Sequence, residues 1–129
     1  MSFEEDSSDS RVRAFNTRLR GVNVKCVVKF DGSDLPQIQV ETRSESVERG
    51  LREVSKFAGY CRRTLVLSSQ NAEEVKWATV LASYFGFGLD LDVGEHKHEI
   101  MPAPALDRTD DEGPQNNFTR RVLSLLPQV

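Results

Sequence analysis

The sequence predicts an α/β domain in the order strand, strand, helix, strand, helix, strand. Hydrophobic and polar residues alternate over 22–30 and 37–43, on either side of a turn rich in Gly, Asp and Pro, which is typical of a β-hairpin. Hydrophobic residues then recur every three or four positions over 45–62 and 72–85, which indicates two amphipathic helices. A short hydrophobic segment suited to a strand follows each helix. Strands separated by helices favour right-handed crossovers and a mixed central sheet with flanking helices.

The two hairpin strands each have a hydrophobic side and a polar side. Successive side chains of a strand point to opposite faces, so the polar residues of both strands are expected on one face of the sheet. The hydrophobic side carries Val22, Val24, Cys26, Val28, Phe30, Ile38, Val40 and Thr42. The polar side carries Asn23, Lys25, Val27, Lys29, Gln37, Gln39, Glu41 and Arg43.

The ends of the elements carry recognisable signals. Asn71 followed by Glu74 resembles a capping box at the start of the second helix, and Gly86 stops that helix. The alternation over 89–93 predicts a further strand, and an edge strand ending near Ile100 is expected after it. The spacing of Val12, Phe15 and Leu19 fits a short amphipathic helix over 11–20.

The two ends of the chain differ in composition from its centre. Residues 1–10 are acidic and polar and are expected to form a disordered tip. Pro102 and Pro104 end the regular structure, residues 105–117 read as a linker, and Phe118, Val122 and Leu125 indicate a short C-terminal helix.

The net charge of −3 over 129 residues excludes neither nucleic acid nor protein as a partner, so the distribution of charge matters more. The segment 11–29 has no acid and could contact phosphates, although a solvated basic face neutralised by the acidic tip is the alternative. Its bases are Arg11, Arg13, Arg18, Arg20, Lys25 and Lys29. No apolar run is long enough to span a membrane, and the acidic start has no apolar signal core. Cys26 and Cys61 fall in apolar patterns and are expected to be buried thiols, which favours a cytoplasmic protein.

The segment 21–105 resembles the PD-(D/E)xK nuclease superfamily, which includes restriction enzymes, archaeal junction resolvases and many repair nucleases. The resemblance rests on Gln39-Val40-Glu41-Thr42-Arg43 in the second hairpin strand, directly before a helix, and on residues 86–93 with Met101-Pro102-Ala103-Pro104. It implies a restriction-endonuclease-like β-β-α-β-α-β core within residues 11–104, followed by the linker and short helix of 105–129.

The resemblance also implies an active site on the polar side of the hairpin. In the superfamily, an acid on the first strand and a second acid on the next strand hold Mg²⁺, and a lysine two residues further on positions the attacking water. Glu41 occupies the position of the second acid, as a metal ligand and catalytic residue, and Arg43 occupies the position of the lysine.

The chain departs from this pattern at three positions. Asn23 stands where the first acid is expected, and a neutral amide oxygen is a weaker Mg²⁺ ligand than a carboxylate. Arg43 keeps the charge of the lysine but cannot act as a base. Glu53 replaces a glutamine that is frequent in the following helix of the family. Asp31 or Asp34 could supply a metal ligand, although Asp is also a common turn residue.

The best-supported hypothesis from the sequence is a nuclease-like domain with a degenerate site that binds nucleic acid without cleavage and needs no cofactor. The expected binding residues are Arg18, Arg20, Lys25, Lys29, Gln39 and Arg43. Two alternatives stay open. The first is an active Mg²⁺-dependent nuclease of DNA or RNA that uses Glu41 and Arg43 as catalytic residues. The second is a protein-interaction module in which residues 118–126 dock a partner.

Two further expectations concern metal and partners. His96 and His98 could bind zinc from one face of a strand, but without a defined third ligand an exposed polar edge strand is expected instead. Because members of the superfamily often pair, the resemblance also implies a homodimer, and no membrane partner is expected.

Overall fold

The computed structural model describes residues 11–30, 32, 36–69, 71–94, 96–105 and 114–127. Within these residues the chain forms one six-stranded mixed sheet and three helices, which confirms the α/β class. The expected disordered tip, most of the linker, and both Asp31 and Asp34 lie outside the described residues. The elements are β1 (Arg11–Leu19), β2 (Val22–Phe30), β3 (Gln37–Ser44), α1 (Val47–Ser55), β4 (Arg62–Leu67), α2 (Ala72–Phe85), β5 (Gly88–Val93), β6 (His96–Met101) and α3 (Pro114–Ser124).

The strands lie side by side in the order in which they occur along the chain. β1, β2 and β3 are antiparallel neighbours, β3, β4 and β5 are parallel, and β6 returns antiparallel to β5. The predicted order of strands and helices corresponds to β2 through β5, the expected edge strand is β6, and β1 is an additional strand at the other edge. The crossover from β3 to β4 and that from β4 to β5 run in the same direction across the sheet. Because such crossovers share one hand, α1 and α2 lie on the same face of the sheet.

All three helices cover one face of the sheet. Ala78 and Ala82 of α2 pack with Leu65 of β4 in one buried cluster, and Phe118 and Val122 of α3 pack with β2 and β3 in the other. The flanking helices therefore lie on one side, and the opposite side, here called the open face, has no helix of the described chain on it. In the part of the chain that the structure describes, no helix is both long and apolar enough to cross a membrane.

The expected helix over 11–20 is wrong, because these residues form β1. Phe15 and Leu19 point to the helix side, and Val12 points to the open face and stays 60% exposed. The helical spacing of these three apolar residues is therefore coincidental. The turn Arg20-Gly21 between β1 and β2 was not predicted. Its positive φ angles of 50° and 80° suit a two-residue hairpin connection.

The helix ends follow the sequence signals in part. α2 spans the expected residues, and the Asn71 side chain accepts hydrogen bonds from the backbone N–H groups of Glu73 and Glu74. The Glu74 carboxylate accepts from the Ser69 hydroxyl, and the backbone N–H of Asn71 donates to the same hydroxyl. The capping box is therefore only half formed. α1 starts after Ser46 and is shorter than the predicted 45–62 helix.

Buried Arg63 joins both crossover helices to the sheet. Its guanidinium donates to the backbone oxygen of Val54 at 3.2 Å and to that of Phe85 at 2.5 Å, near the C-terminal ends of α1 and α2. A cation near the C-terminal end of a helix stabilises the carbonyl groups of its last turn. Burial lowers the pKa of Arg63. Cys26 and Cys61 are buried free thiols, and burial raises the pKa of Cys26 to about 11.

Candidate nucleic-acid interface

A groove opens where β2 and β3 separate. Their register ends at the pair Lys25 and Glu41; beyond it, residues 22–24 pair with β1 and residues 42–44 pair with β4. The two strands follow different neighbours, and the groove between them has a volume of about 530 Å³. It is lined by Asn16, Thr17, Arg18, Asn23, Val24, Lys25, Glu41, Thr42, Arg43 and Val66.

The groove brings together three of the predicted binding residues, Arg18, Lys25 and Arg43. Arg18 donates to the side-chain oxygen of Asn23 at 3.1 Å, so the residue at the expected metal position is engaged by a cation. Lys25 is exposed, and none of the ion pairs in the described part of the chain includes it. Glu41 is the one carboxylate among the lining residues.

Gln39 and Lys29 lie on the open face but outside this groove. The Gln39 amide donates to the hydroxyl of Thr64 at 2.9 Å, which ties β3 to β4. Lys29 pairs in register with Gln37, at the other end of the hairpin. Neither side chain is placed with the three cations of the groove.

The basic segment 11–29 does not form one surface, because strand alternation divides it between two faces. Arg20 leaves the hairpin turn and stacks 4.6 Å above the ring of Tyr60. Arg13 donates to the backbone oxygen of Pro127 at 2.8 Å, on the helix side. The density of positive charge along the sequence therefore overstates the charge on the open face.

Two ion pairs cross the open face above β4. Lys97 of β6 donates to Glu41 of β3 at 3.2 Å, and Arg43 of β3 pairs with Asp92 of β5. Val66 lies between them on β4 and is only 1% exposed, although it points to the open face. The centre of this face is therefore covered by the four charged side chains.

Three carboxylates that were not predicted as site residues lie beyond these ion pairs. Asp90 and Asp92 of β5 share the open face with Glu99 of β6. Burial raises the pKa of Asp90, the carboxylates of Glu41 and Glu99 raise it further, and Lys97 opposes them. The alternation over 89–93 contained the signal, because two acids separated by one apolar residue had to share a face.

The residues that the structure describes do not fit the Mg²⁺ site implied by the nuclease resemblance. Mg²⁺ prefers carboxylate oxygens, but Glu41 is engaged by Lys97, and Asn23 is engaged by Arg18. Among the described residues, no group of three or more His, Cys, Asp or Glu side chains is placed to hold a metal ion. The His96 and His98 rings lie on the exposed edge strand with centroids 6.3 Å apart.

The C-terminal segment proposed as a partner-binding element packs on its own domain. Phe118 and Val122 are buried in the core, and Phe118 contacts Phe57 and Tyr60 with ring centroids 6.0 and 5.7 Å away. These side chains stabilise the fold and are not exposed to a partner.

Comparisons of the chain with protein-family models, with curated proteins and with solved structures found no match. Function is therefore inferred from the side chains of the groove and from their charges.

Proposed function

We propose that this chain is a nucleic-acid-binding domain with a restriction-endonuclease-like core and a degenerate site that does not cut its ligand. The observation that carries the proposal is the groove between β2 and β3, where Arg18, Lys25 and Arg43 surround one carboxylate. Arginine and lysine contacts to phosphates supply most of the sequence-independent affinity of proteins for nucleic acids. The groove suits a sugar–phosphate backbone.

The partners of the groove residues favour binding over cleavage. The Lys97 ammonium forms an ion pair with Glu41. The Arg18 guanidinium donates a hydrogen bond to the side-chain oxygen that Asn23 would offer to a metal. An arginine side chain cannot act as a general base, so Arg43 does not activate water. Although one guanidinium nitrogen of Arg43 pairs with Asp92, its remaining N–H groups can still donate to a phosphate.

The charges of the open face would also orient the ligand. Asp90, Asp92 and Glu99 lie on β5 and β6, away from the β1–β2 hairpin that carries Arg18 and Lys25. A polyanion is repelled from the first group and attracted to the second, which places it along the groove. A net charge of −3 therefore does not argue against binding.

The test is a fluorescence-anisotropy titration of labelled single- and double-stranded DNA and RNA at two salt concentrations. For three phosphate contacts on a single strand, log K falls with log salt with a slope of about −2, so affinity drops about 20-fold from ~50 to ~200 mM salt. Lys25→Ala should weaken binding and reduce the slope by about 0.7. The control Lys76→Ala removes an exposed cation from α2 and should change neither value.

Equal losses in Lys25→Ala and Lys76→Ala would contradict the groove as the binding site. The same samples incubated with Mn²⁺ should retain intact nucleic acid. Cleavage that disappears in Glu41→Gln would instead establish a metal-dependent nuclease.

A further inference from the structure

A second groove lies beside the β1–β2 hairpin, between its turn and α3. It has a volume of about 450 Å³, and its charged lining residues are Arg18, Arg20 and Arg121. Tyr60 and Asn117 also line it. Because Arg18 lines both grooves, the two are neighbours around the end of the hairpin.

Arg20 has a backbone conformation that is unusual for an arginine. Its φ of 50° lies in the left-handed region, where Gly, Asn and Asp are the common residues of two-residue hairpin turns. From this position its guanidinium stacks 4.6 Å above the Tyr60 ring. The Tyr60 ring is itself fixed by Phe118, whose centroid lies 5.7 Å away. The groove thus presents an aromatic ring at a fixed position beside a cation.

The positive charge of this groove is not compensated within the described part of the chain. Its lining residues include no acid. The ion pairs among the described residues join Arg43 to Asp92, Arg49 to Glu53, and Lys97 to Glu41. None of them uses an arginine of this groove. An anionic ligand with a flat group that can stack on Tyr60 would therefore suit this groove.

We propose, on the basis of the nucleic-acid binding proposed above, that this second groove selects single-stranded nucleic acid. A phosphate would lie between Arg18 and Arg121, and the adjoining base would stack on Tyr60 beside or in place of the Arg20 guanidinium. A duplex cannot present the face of a base without unpairing it. The bases of a single strand are free to stack on an aromatic side chain. The backbone would continue past Arg18 into the groove between β2 and β3.

The experiment compares a labelled single strand of about 12 nucleotides, within the usual site size of such proteins, with a duplex of the same sequence. Tyr60→Leu should weaken binding of the single strand about fivefold or more, as loss of a stacking contact does elsewhere. Arg121→Ala should also weaken it, because a phosphate contact is lost. Duplex affinity should not change in either variant. Tyr60→Phe keeps the ring and its contact with Phe118, so single-strand affinity should stay at the wild-type value.

The outcomes separate the two proposals. Failure of wild-type protein to bind any nucleic acid at low salt would overturn both. Binding that depends on Lys25 but not on Arg121 or Tyr60 would keep the first groove and overturn the second. A loss in Tyr60→Phe equal to that in Tyr60→Leu would also overturn the stacking role, because both rings can stack.

Discussion

The two halves of the open face differ in how their charged side chains are paired. On β5 and β6, Asp92 pairs with Arg43, and Lys97 reaches across to Glu41. On β1 and β2, Arg18 is bonded to a neutral amide, and no ion pair in the described chain includes Lys25. We call these the carboxylate half and the cationic half. No ion pair in the described chain includes Asp90 or Glu99. The same alternation of polar residues therefore gives a surface with excess carboxylates in one half and a surface suited to an anionic ligand in the other.

The carboxylate half is also covered by the chain itself. After β6 the backbone passes over Gly88, where an added Cβ atom would lie 2.7 Å from the backbone nitrogen of Ala103. Arg62 donates to the oxygen of Ala103 at 2.7 Å and holds this segment in place. Close backbone packing stabilises one half, and exposed side chains remain available for binding in the other.

A substitution of Gly88 tests this difference in packing. Gly88→Ala forces a methyl group against the Ala103 backbone, which cannot move aside as a flexible side chain would. We expect a loss of about 2–3 kcal/mol in the free energy of unfolding, as for overpacked sites. Lys25→Ala, in the cationic half, should stay within about 0.5 kcal/mol of wild type. Urea unfolding followed by circular dichroism measures both. Wild-type stability in Gly88→Ala would show that the segment does not lie close to β5.

The next prediction concerns the ion pairs that join the carboxylate half to β3. Asp92→Asn frees Arg43 and removes a negative charge from the open face, so nucleic-acid affinity should rise about two- to fivefold, the range of an exposed ion pair. Glu41→Gln frees Lys97 and should act in the same direction. Anisotropy titrations at low salt measure the change. Weaker binding in both variants would mean that these carboxylates hold the ligand, through a metal ion or directly.

Local periodicity accounts for what the sequence predicted about the fold. The β2–β3 hairpin, α2 and the polar side of the sheet follow from alternation and helical spacing within single segments. β1 was missed because Val12 is apolar yet exposed, which imitated a helical stripe. The side on which the helices pack depends on the direction of both crossovers, a property of the whole topology.

The site was predictable only where its residues are close in sequence. Lys25, Glu41 and Arg43 belong to one hairpin, and their shared face follows from the pattern. The pairing of Arg43 with Asp92 and of Glu41 with Lys97 joins residues about 50 positions apart. Such pairs depend on which strands become neighbours, and no local pattern specifies this.

Two threonines of the sheet differ in the hydrogen bonding of their hydroxyl groups. The Thr42 hydroxyl is fully buried beside the groove and has no hydrogen-bond partner in the described part of the protein, whereas that of Thr64 accepts from Gln39. Thr42→Val should therefore raise the free energy of unfolding by about 1 kcal/mol, because it removes an unsatisfied polar group. Thr64→Val should lower it by about 1 kcal/mol, since it breaks a hydrogen bond. If urea unfolding shows that both substitutions change the free energy of unfolding in the same direction, the Thr42 hydroxyl has a hydrogen-bond partner.

The carboxylate half should also make the free energy of unfolding depend weakly on pH. Burial, with the nearby carboxylates of Glu41 and Glu99, raises the pKa of Asp90 in the folded protein. The folded state therefore binds the proton more tightly than the unfolded state, so the ionised form of Asp90 destabilises the fold. This penalty is present above the raised pKa and disappears as the pH falls below the ordinary value of about 3.9.

Asp90→Asn removes this penalty and should be slightly more stable than wild type at neutral pH, with the difference vanishing in acid. Because Asp90 is partly exposed, solvent screens its interactions and keeps the gain small. Asp92→Asn provides the matched control: it loses the ion pair with Arg43, so it should gain no stability at neutral pH. Urea midpoints across the acidic and neutral range measure both variants. A destabilised Asp90→Asn at neutral pH would mean that the attraction of Lys97 for the Asp90 carboxylate outweighs the penalty of burial.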